Sequence, residues 1–475
     1  MGRITAPTLA RMLGEPDSSM PAYRWLFLAL RSLIANGRIL HGTALPSERD
    51  AVLALGLSRT TVSRAYAELR DCGYASSRRG SGTVAQLPGG PVAGGAEPLP
   101  LGGFGPLPGN QAVDLTCAAP NAPAGMLGQF EAALHELPRY AAGMGYYPLG
   151  IEPLRVALAD YYTGRGLPTG PEQIIVTSGA LSSVAAAGRA VLGRGQIVLA
   201  ETPTYPNSLL ALKAHGARTA AVPIGPQGSD LDQIAAALGE VRPAAMLCLP
   251  DFHNPVGTLL DDEGRERWAA ELDRASTVGI IDETCAELWL DARPQVLPMA
   301  AFSPNLVTVG SASKSHWGGL RLGWLRAPRH LAAALARARM SMDLGAPVLE
   351  QLVLANLLSS GQTLSEATRT ALRDNRNWMI GELARTLPDW KPNLPAGGLS
   401  LWCHLPQPRS TALARRLKAV LLARRLKAVL LAPGSTFAVE GHGLEHYLRL
   451  PFAQDRAQLE AALPAIAAAW AQVVV

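Results

Sequence analysis

The sequence predicts an α/β chain in three parts: a small helical unit with a hairpin, a linker, and a large domain on a mostly parallel sheet. Three observations predict it. Residues 20–86 place apolar side chains at helical spacing with sharp punctuation. Residues 87–112 are rich in Gly and Pro and carry almost no charge. Residues 113–475 alternate short apolar runs with longer helical patterns, the signature of strands joined by crossover helices.

Composition narrows the class. A chain of 475 residues, nearly half of them apolar, has core enough for two or three domains. Five cysteines (72, 117, 248, 285 and 403) are scattered without CxxC spacing. That pattern points to a reducing cytoplasm and away from a disulfide framework or a metal site. No charge-free apolar run reaches the roughly 18 residues a membrane span needs, and no signal-peptide core opens the chain. The net charge of +5 lies wholly in residues 1–86, where 11 arginines face 6 acidic residues. The remainder balances, which directs the first fifth of the chain toward a polyanion.

The basic end is legible residue by residue. Ser47 followed by Asp50 has the form of a capping box and starts a helix carrying Ala51, Leu53, Ala54 and Leu55. Gly56 permits a tight turn, and Ser58 caps a second helix. On that helix Val62, Ala65, Tyr66 and Leu69 make an inward stripe. Arg59, Thr60 and Ser63 are left at the outward N-terminal end, where a recognition helix meets bases and phosphates. Arg78-Arg79-Gly80-Ser81-Gly82 reads as a turn between two short strands, a basic wing. A helical hairpin with a solvated face would show the same periodicity, but the charge asymmetry weighs against it.

The string "LPSERD…LGLSRTTVSRAYAELRDCGY…RRGSGT" resembles the winged helix-turn-helix of the GntR family. The resemblance covers about 65 residues and implies contacts to double-stranded operator DNA from Arg49, Ser58, Arg59, Thr60, Thr61 and the wing's Gly80. Position 63, an arginine in some relatives, is Ser here, so base preference stays open.

The segment 87–112 cannot bury enough surface to order itself and reads as a linker, part flexible and part polyproline-like. Farther on, "ARRLKAVLL" at 414–422 recurs unchanged at 423–431. Nine residues are about 2.5 helical turns, so one continuous helix would turn the second copy's apolar face outward. One copy in the fold, with the other extruded or lengthening a helix end, is expected. The Ala-rich stretch 461–475 reads as a closing helix.

In the large domain five strand-like runs end in polar residues. "QIIVT" (173–177) leads to Ser178-Gly179-Ala180 and then a helix; "QIVLA" (196–200) leads to Glu201 and Tyr205. "AAMLCLP" (244–250) leads to His253-Asn254-Pro255, "VGIID" ends in Asp282, and "LVTVG" (306–310) leads to Ser311-Ala312-Ser313-Lys314. Parallel sheets bind ligands at the carboxyl ends of their strands. Lys314 is one of only five lysines in a chain that otherwise uses arginine for positive charge. A guanidinium cannot condense with an aldehyde as an amine does.

One cofactor uses that whole set: pyridoxal 5′-phosphate. Lys314 would be its Schiff-base lysine, and Asp282 would keep the pyridine nitrogen protonated. Asn254 would donate to the phenolate oxygen, and Tyr205 would stack on the ring. Ser178, Gly179, Ala180, Ser311 and Arg321 would hold the phosphate, at a helix N-terminus and with a guanidinium grip.

Residues 113–475 resemble the fold-type I, class I aminotransferases, through "YYPLGIEPLR", "VTSGA", "ETPTYP", "HNPVG", "IDET", "SASKSHWGGLRLGW" and "YLRLPFA". The resemblance implies a large mixed, mostly parallel sheet with a smaller α+β subdomain. It also assigns Arg449 to the substrate α-carboxylate and Tyr146 to the neighbouring subunit's phosphate, with Tyr147 a close rival. One departure stands out: the tyrosine that shares the phenolate contact is replaced by Thr284 and Cys285. Cofactor binding is expected to survive this, and transamination to be weak or absent. Reader, linker and aminotransferase-like domain in this order resemble the MocR/GabR subfamily of transcription regulators. That implies a cytoplasmic, head-to-tail homodimer, each reader packed on its partner. It would be gated by an amino acid, an amine or the cofactor itself. The alternative is a working aminotransferase with a secondary DNA-binding head.

Overall fold

The computed structural model describes residues 3–35, 39, 41–78, 82–88, 113–225, 227–422 and 429–474. The N-terminal unit holds α1 (Ala6–Leu13), α2 (Ala22–Ala35), α3 (Glu48–Leu55), α4 (Arg59–Asp71) and the strands β1 (Ala75–Arg78) and β2 (Gly82–Ala85). Ser47 caps α3 by accepting from the Asp50 N–H, Gly56 ends α3 in the left-handed region, and Ser58 caps α4. The stripe Val62, Ala65, Tyr66 and Leu69 is buried, as its spacing predicts, against Leu26, Phe27 and Leu30 of α2. Leu53 departs from the pattern and is 75% exposed. β1 and β2 pair antiparallel with Arg78 opposite Gly82, so the wing's strands are present. Gly80 and the turn 79–81 lie outside the described residues, as do 89–112 of the expected linker.

The large domain is an eight-stranded sheet in the order β4 (Ile174–Thr177), β11 (Gly323–Arg326), β10 (Val307–Ser311), β9 (Val278–Asp282), β8 (Ala245–Cys248), β5 (Ile197–Thr202), β6 (Arg218–Gly225) and β7 (Gly228–Ser229). From β10 across to β6 the neighbours run parallel; β11 and β7 pair antiparallel. All five apolar runs singled out above lie in this sheet. Their residues are buried on both faces because helices cover each side, which is why they read as continuous rather than alternating.

A second sheet orders β12 (Lys391–Pro392), β13 (Ser400–His404), β15 (Tyr447–Pro451), β14 (Val429–Pro433) and β3 (Val113–Leu115). The closing helix, Arg456–Val473, packs Leu459, Leu463, Ile466 and Trp470 against it. Here the tandem repeat resolves. The first copy lies in the helix Ser410–Leu422, while the last three residues of the second, Val429 to Leu431, are strand β14. The same Val-Leu-Leu is thus helix once and strand once, a case of tertiary context overriding local preference. Residues 423–428 lie outside the described set.

Candidate functional site: a cofactor cavity at the strand ends

The carboxyl ends of the parallel strands open into a cavity of about 260 Å³. Its lining includes Lys314, Asp282, Asn254, Tyr205, Gly179, Ala180, Ser311 and Arg321. Larger hollows exist, about 350 Å³ beside Glu287 and Arg293 and about 520 Å³ beside residues 120–124. Neither gathers an amine, a carboxylate and an amide together.

Each group is positioned by a local feature. Lys314 stands on a single wide helical turn, Ser313–Trp317, directly after β10. Its Nζ donates to the Ala118 carbonyl at 2.5 Å. Burial pushes the amine below its ordinary value, with Cys285, Cys117 and Asp282 pulling the other way. Asp282 closes β9, is 7% exposed, and accepts from the Thr284 N–H at 3.0 Å. Burial holds its carboxyl above the usual range, against the Thr284 hydrogen bonds and Lys314. Asn254 accepts from Arg449 Nη1 at 3.3 Å through Oδ1, which fixes the amide so that its NH₂ is the donating end. Tyr205 precedes the helix Pro206–Lys213 and accepts from Asn207 Nδ2 at 3.1 Å.

The other end of the cavity is built for an anion. Gly179, at φ +109, begins the helix Ala180–Val191, and a Cβ there would meet Arg321 Nη2 at 3.3 Å. Arg321 is itself in the left-handed region, at φ 52, and its Nη2 donates to the Ser178 carbonyl at 3.3 Å. Gly323 lets β11 approach: a Cβ there would fall 2.5 Å from the Gly179 carbonyl carbon. Free N–H groups at the helix start and a guanidinium beside them are an anion cradle.

Three expected site residues lie apart from this lining. The Ser178 side chain is directed at Asp343 Oδ2, at 3.5 Å, and only its backbone meets Arg321. Tyr146 is 63% exposed and turned outward, whereas Tyr147 packs edge-on against Tyr140. Arg449 is 1% exposed on β15, its guanidinium 4.8 Å from the Phe437 ring centroid, and burial lowers it to about 10. Sequence reasoning missed Ser208, Ser313, Cys117 and Ala119, which also line the cavity. Ser208 lies three residues after Tyr205, in the first turn of the helix that Tyr205 precedes, a spacing that marks it. Cys117 carries no such signal. Thr284 and Cys285 do line the cavity; the Cys285 thiol, pushed up to about 12 by burial and then by Asp282, is a neutral and weak donor.

On the reader, Arg49, Ser58, Arg59 and Thr60 are exposed and Thr61 is half-buried. The Ser58 hydroxyl lies 2.8 Å from those of Thr60 and Thr61, a hydroxyl cluster beside the exposed Arg59 side chain at the start of α4.

Comparison with known proteins assigns both halves. Residues 121–466 match the family model for aminotransferase class I and II, and residues 22–84 that for bacterial regulatory proteins of the gntR family. The chain belongs to the class I and II aminotransferases, with the GntR head of a MocR-type regulator. It is 28% identical to the probable rhizopine catabolism regulatory protein MocR of Rhizobium meliloti, over 79% of this chain and 80% of that one. It is 31% identical to a 2-aminoadipate transaminase of Thermus thermophilus, over 64% of this chain and 75% of that one. Its fold is similar to the solved structure of LysN, an α-aminoadipate aminotransferase from Thermus thermophilus, complexed with N-(5′-phosphopyridoxyl)-L-leucine. The TM-score is 0.68 at 28% identity, covering 77% of this chain and 93% of that one.

The cofactor of this MocR-type chain is therefore pyridoxal 5′-phosphate, and its aminotransferase-like fold is of a dimeric kind. The residues present fit the group: acid at one end of the cavity, anion cradle at the other, amine and amide between. When bound, the cofactor supplies an aldehyde and an electron-withdrawing ring. Among the described residues, no helix is long and apolar enough to cross a membrane.

Proposed function

We propose that this PLP-dependent regulator binds operator DNA through residues 1–86 and senses an amino acid, an amine or the cofactor itself in residues 113–475, with 87–112 as the joint. Arg49, Ser58, Arg59, Thr60, Thr61 and Gly80 contact DNA. Lys314 carries the cofactor, Asp282 and Asn254 set its electronics, and Arg449 takes a ligand's carboxylate. The observation that supports regulation over turnover is the pair Thr284 and Cys285 in the cavity wall. With no phenol there, the cofactor's phenolate oxygen keeps Asn254 as its neutral donor. Losing one hydrogen bond to a charged oxygen costs about 1.5–3 kcal/mol, one to two powers of ten in the affected rate.

The protein works as a cytoplasmic head-to-tail homodimer. Tyr146, turned outward, is offered to the neighbouring subunit's phosphate. Within one chain the reader meets the large domain through an Arg11–Asp232 ion pair of 2.8 Å. In the dimer the same two surfaces meet across the two-fold axis, as exchanged elements do.

The complete set of Lys314, Asp282, Asn254, Arg321 and Arg449 favours a second reading, a working aminotransferase. Two assays on purified protein decide. Borohydride reduction should trap a pyridoxyl group on Lys314 and on no peptide of Lys314→Ala; an adduct on Lys213 or Lys391 would overturn the assignment. Steady-state assays over amino donors should show slow or no keto-acid formation. Turnover near 10 per second, a usual enzyme value, would establish the aminotransferase instead.

A further inference from the structure

The arginine meant for a ligand's carboxylate is already engaged, and by the chain's own backbone. Arg449 Nη2 donates to the Thr116 carbonyl at 2.5 Å, Nη1 goes to Asn254, and Nε is buried without a partner among the described residues. Two residues beyond Thr116, the Ala118 carbonyl accepts a hydrogen bond from Lys314 Nζ. Two carbonyls of one short stretch, those of Thr116 and Ala118, thus sit on Arg449 and Lys314. The stretch is also held by Gln454 Nε2, which donates to Asp114 O at 3.2 Å and Cys117 O at 2.6 Å, and by Asp114 Oδ1, which accepts from the Thr116 N–H at 2.7 Å and hydroxyl at 2.6 Å. Farther along, Asn121 Nδ2 donates to Asp455 Oδ1 at 3.1 Å. The hollow of about 520 Å³ lies beside 120–124, next to the helix Glu366–Thr386 and the start of the closing helix. In sequence the segment follows β3, which follows the Gly/Pro-rich stretch leading back to the reader.

We propose that residues 116–119 are a strap seated in the carboxylate site, and that the effector is an α-amino acid whose carboxylate displaces it from Arg449. This rests on the reading that Lys314 carries the cofactor and meets an amino group there. A carboxylate presents two charged oxygens to the guanidinium fork, where Thr116 presents one neutral carbonyl; bonds to an ionised acceptor are about twice as strong. The exchange therefore runs toward the ligand. Loading Lys314 uses the nitrogen that ties Ala118, which leaves Arg449 on Thr116 and Gln454 on Cys117 as side-chain holds, and of these only Arg449 meets a ligand's carboxylate. A decarboxylated amine fits the same cavity but offers Arg449 nothing, so the strap stays. Release loosens the residues directly after β3, the strand that joins the large domain to the stretch leading back to the reader, so each ligand class acts on DNA binding by what it does to the strap.

Amide hydrogen exchange on the full-length, cofactor-loaded protein tests this, read on the peptide spanning 113–120. Amino acids are compared with their decarboxylated partners: alanine with ethylamine, leucine with 3-methylbutylamine, phenylalanine with phenethylamine. Each is added until the cofactor's absorbance change saturates. An amino acid that changes the absorbance should speed exchange of this peptide by about tenfold or more, while a bound amine leaves it unchanged. Arg449→Gln should exchange fast without any ligand and ignore the amino acid. Equal acceleration by both members of a pair, no acceleration at saturated absorbance, or absorbance changes from amines alone would overturn the strap. The borohydride adduct on Lys314 is scored separately: its absence sinks the underlying reading, its presence with an unmoved strap sinks this proposal only.

Discussion

Replacing Arg321 should separate cofactor holding from DNA holding. Its guanidinium reaches the Ser178 carbonyl at 3.3 Å and lies beside Gly179, at the N-terminus of the helix Ala180–Val191. That places a guanidinium at the cavity's anion end, where a phosphate would meet helix N–H groups. Removing its charge-assisted contact forfeits about 1.5–3 kcal/mol, or roughly ten- to 150-fold in cofactor affinity. Arg321→Lys keeps the charge without the fork and should fall between. The assay is absorbance titration of cofactor-free, full-length protein with pyridoxal phosphate, alongside operator binding by the same protein without cofactor, which should not change. A backbone effect gives a second sign. Arg321 sits at φ 52, where glycine is at ease and alanine is not. Arg321→Gly should therefore be more stable to urea than Arg321→Ala by about 1 kcal/mol, while both bind cofactor equally weakly. An affinity within about threefold of the parent in the alanine variant would refute the phosphate assignment, since a lost charged hydrogen bond costs more than that.

Asp282→Asn should raise the urea midpoint of the cofactor-free protein at pH 7 and weaken cofactor binding. With its folded pKa raised by burial, Asp282 holds its proton more tightly folded than unfolded. Stability is then lost as pH climbs from the usual carboxylate value through the raised one, and the advantage of Asn should vanish in acid. A midpoint at pH 7 equal to or below the parent's would contradict that sign. Arg59→Ala should lose specific operator binding and keep the absorbance band of the bound cofactor. Parent binding should fall steeply with salt, because the whole charge excess lies in residues 1–86; equal operator binding by residues 113–475 alone would refute the reader.

Much of the site was legible because a parallel sheet writes its active residues at the ends of apolar runs. Lys314, Asp282, Asn254 and Tyr205 each follow such a run and meet in one cavity. The reader's stripe was legible for the same reason, a buried face with a fixed period. What escaped is what topology alone brings together. Cys117 and Ala119 reach the cavity because β3 pairs with β14, more than 300 residues away in sequence. No local pattern marks that pairing. Nor could spacing say that the Ser178 side chain faces Asp343, or that Arg449 lies under the Thr116 backbone, since both depend on side-chain direction in the packed domain. The repeat shows the limit most plainly: identical residues fold as helix in one copy and strand in the other.

Operator affinity measured on the cofactor-loaded, full-length protein with and without a saturating amino acid, at one fixed salt concentration, bears most directly on regulation against enzymology. A ligand-gated regulator should shift its operator dissociation constant by about five- to 150-fold, the range of ordinary coupling energies, while forming little keto acid over the same interval. An unchanged dissociation constant, with the amino acid consumed at enzymatic rates, would contradict it.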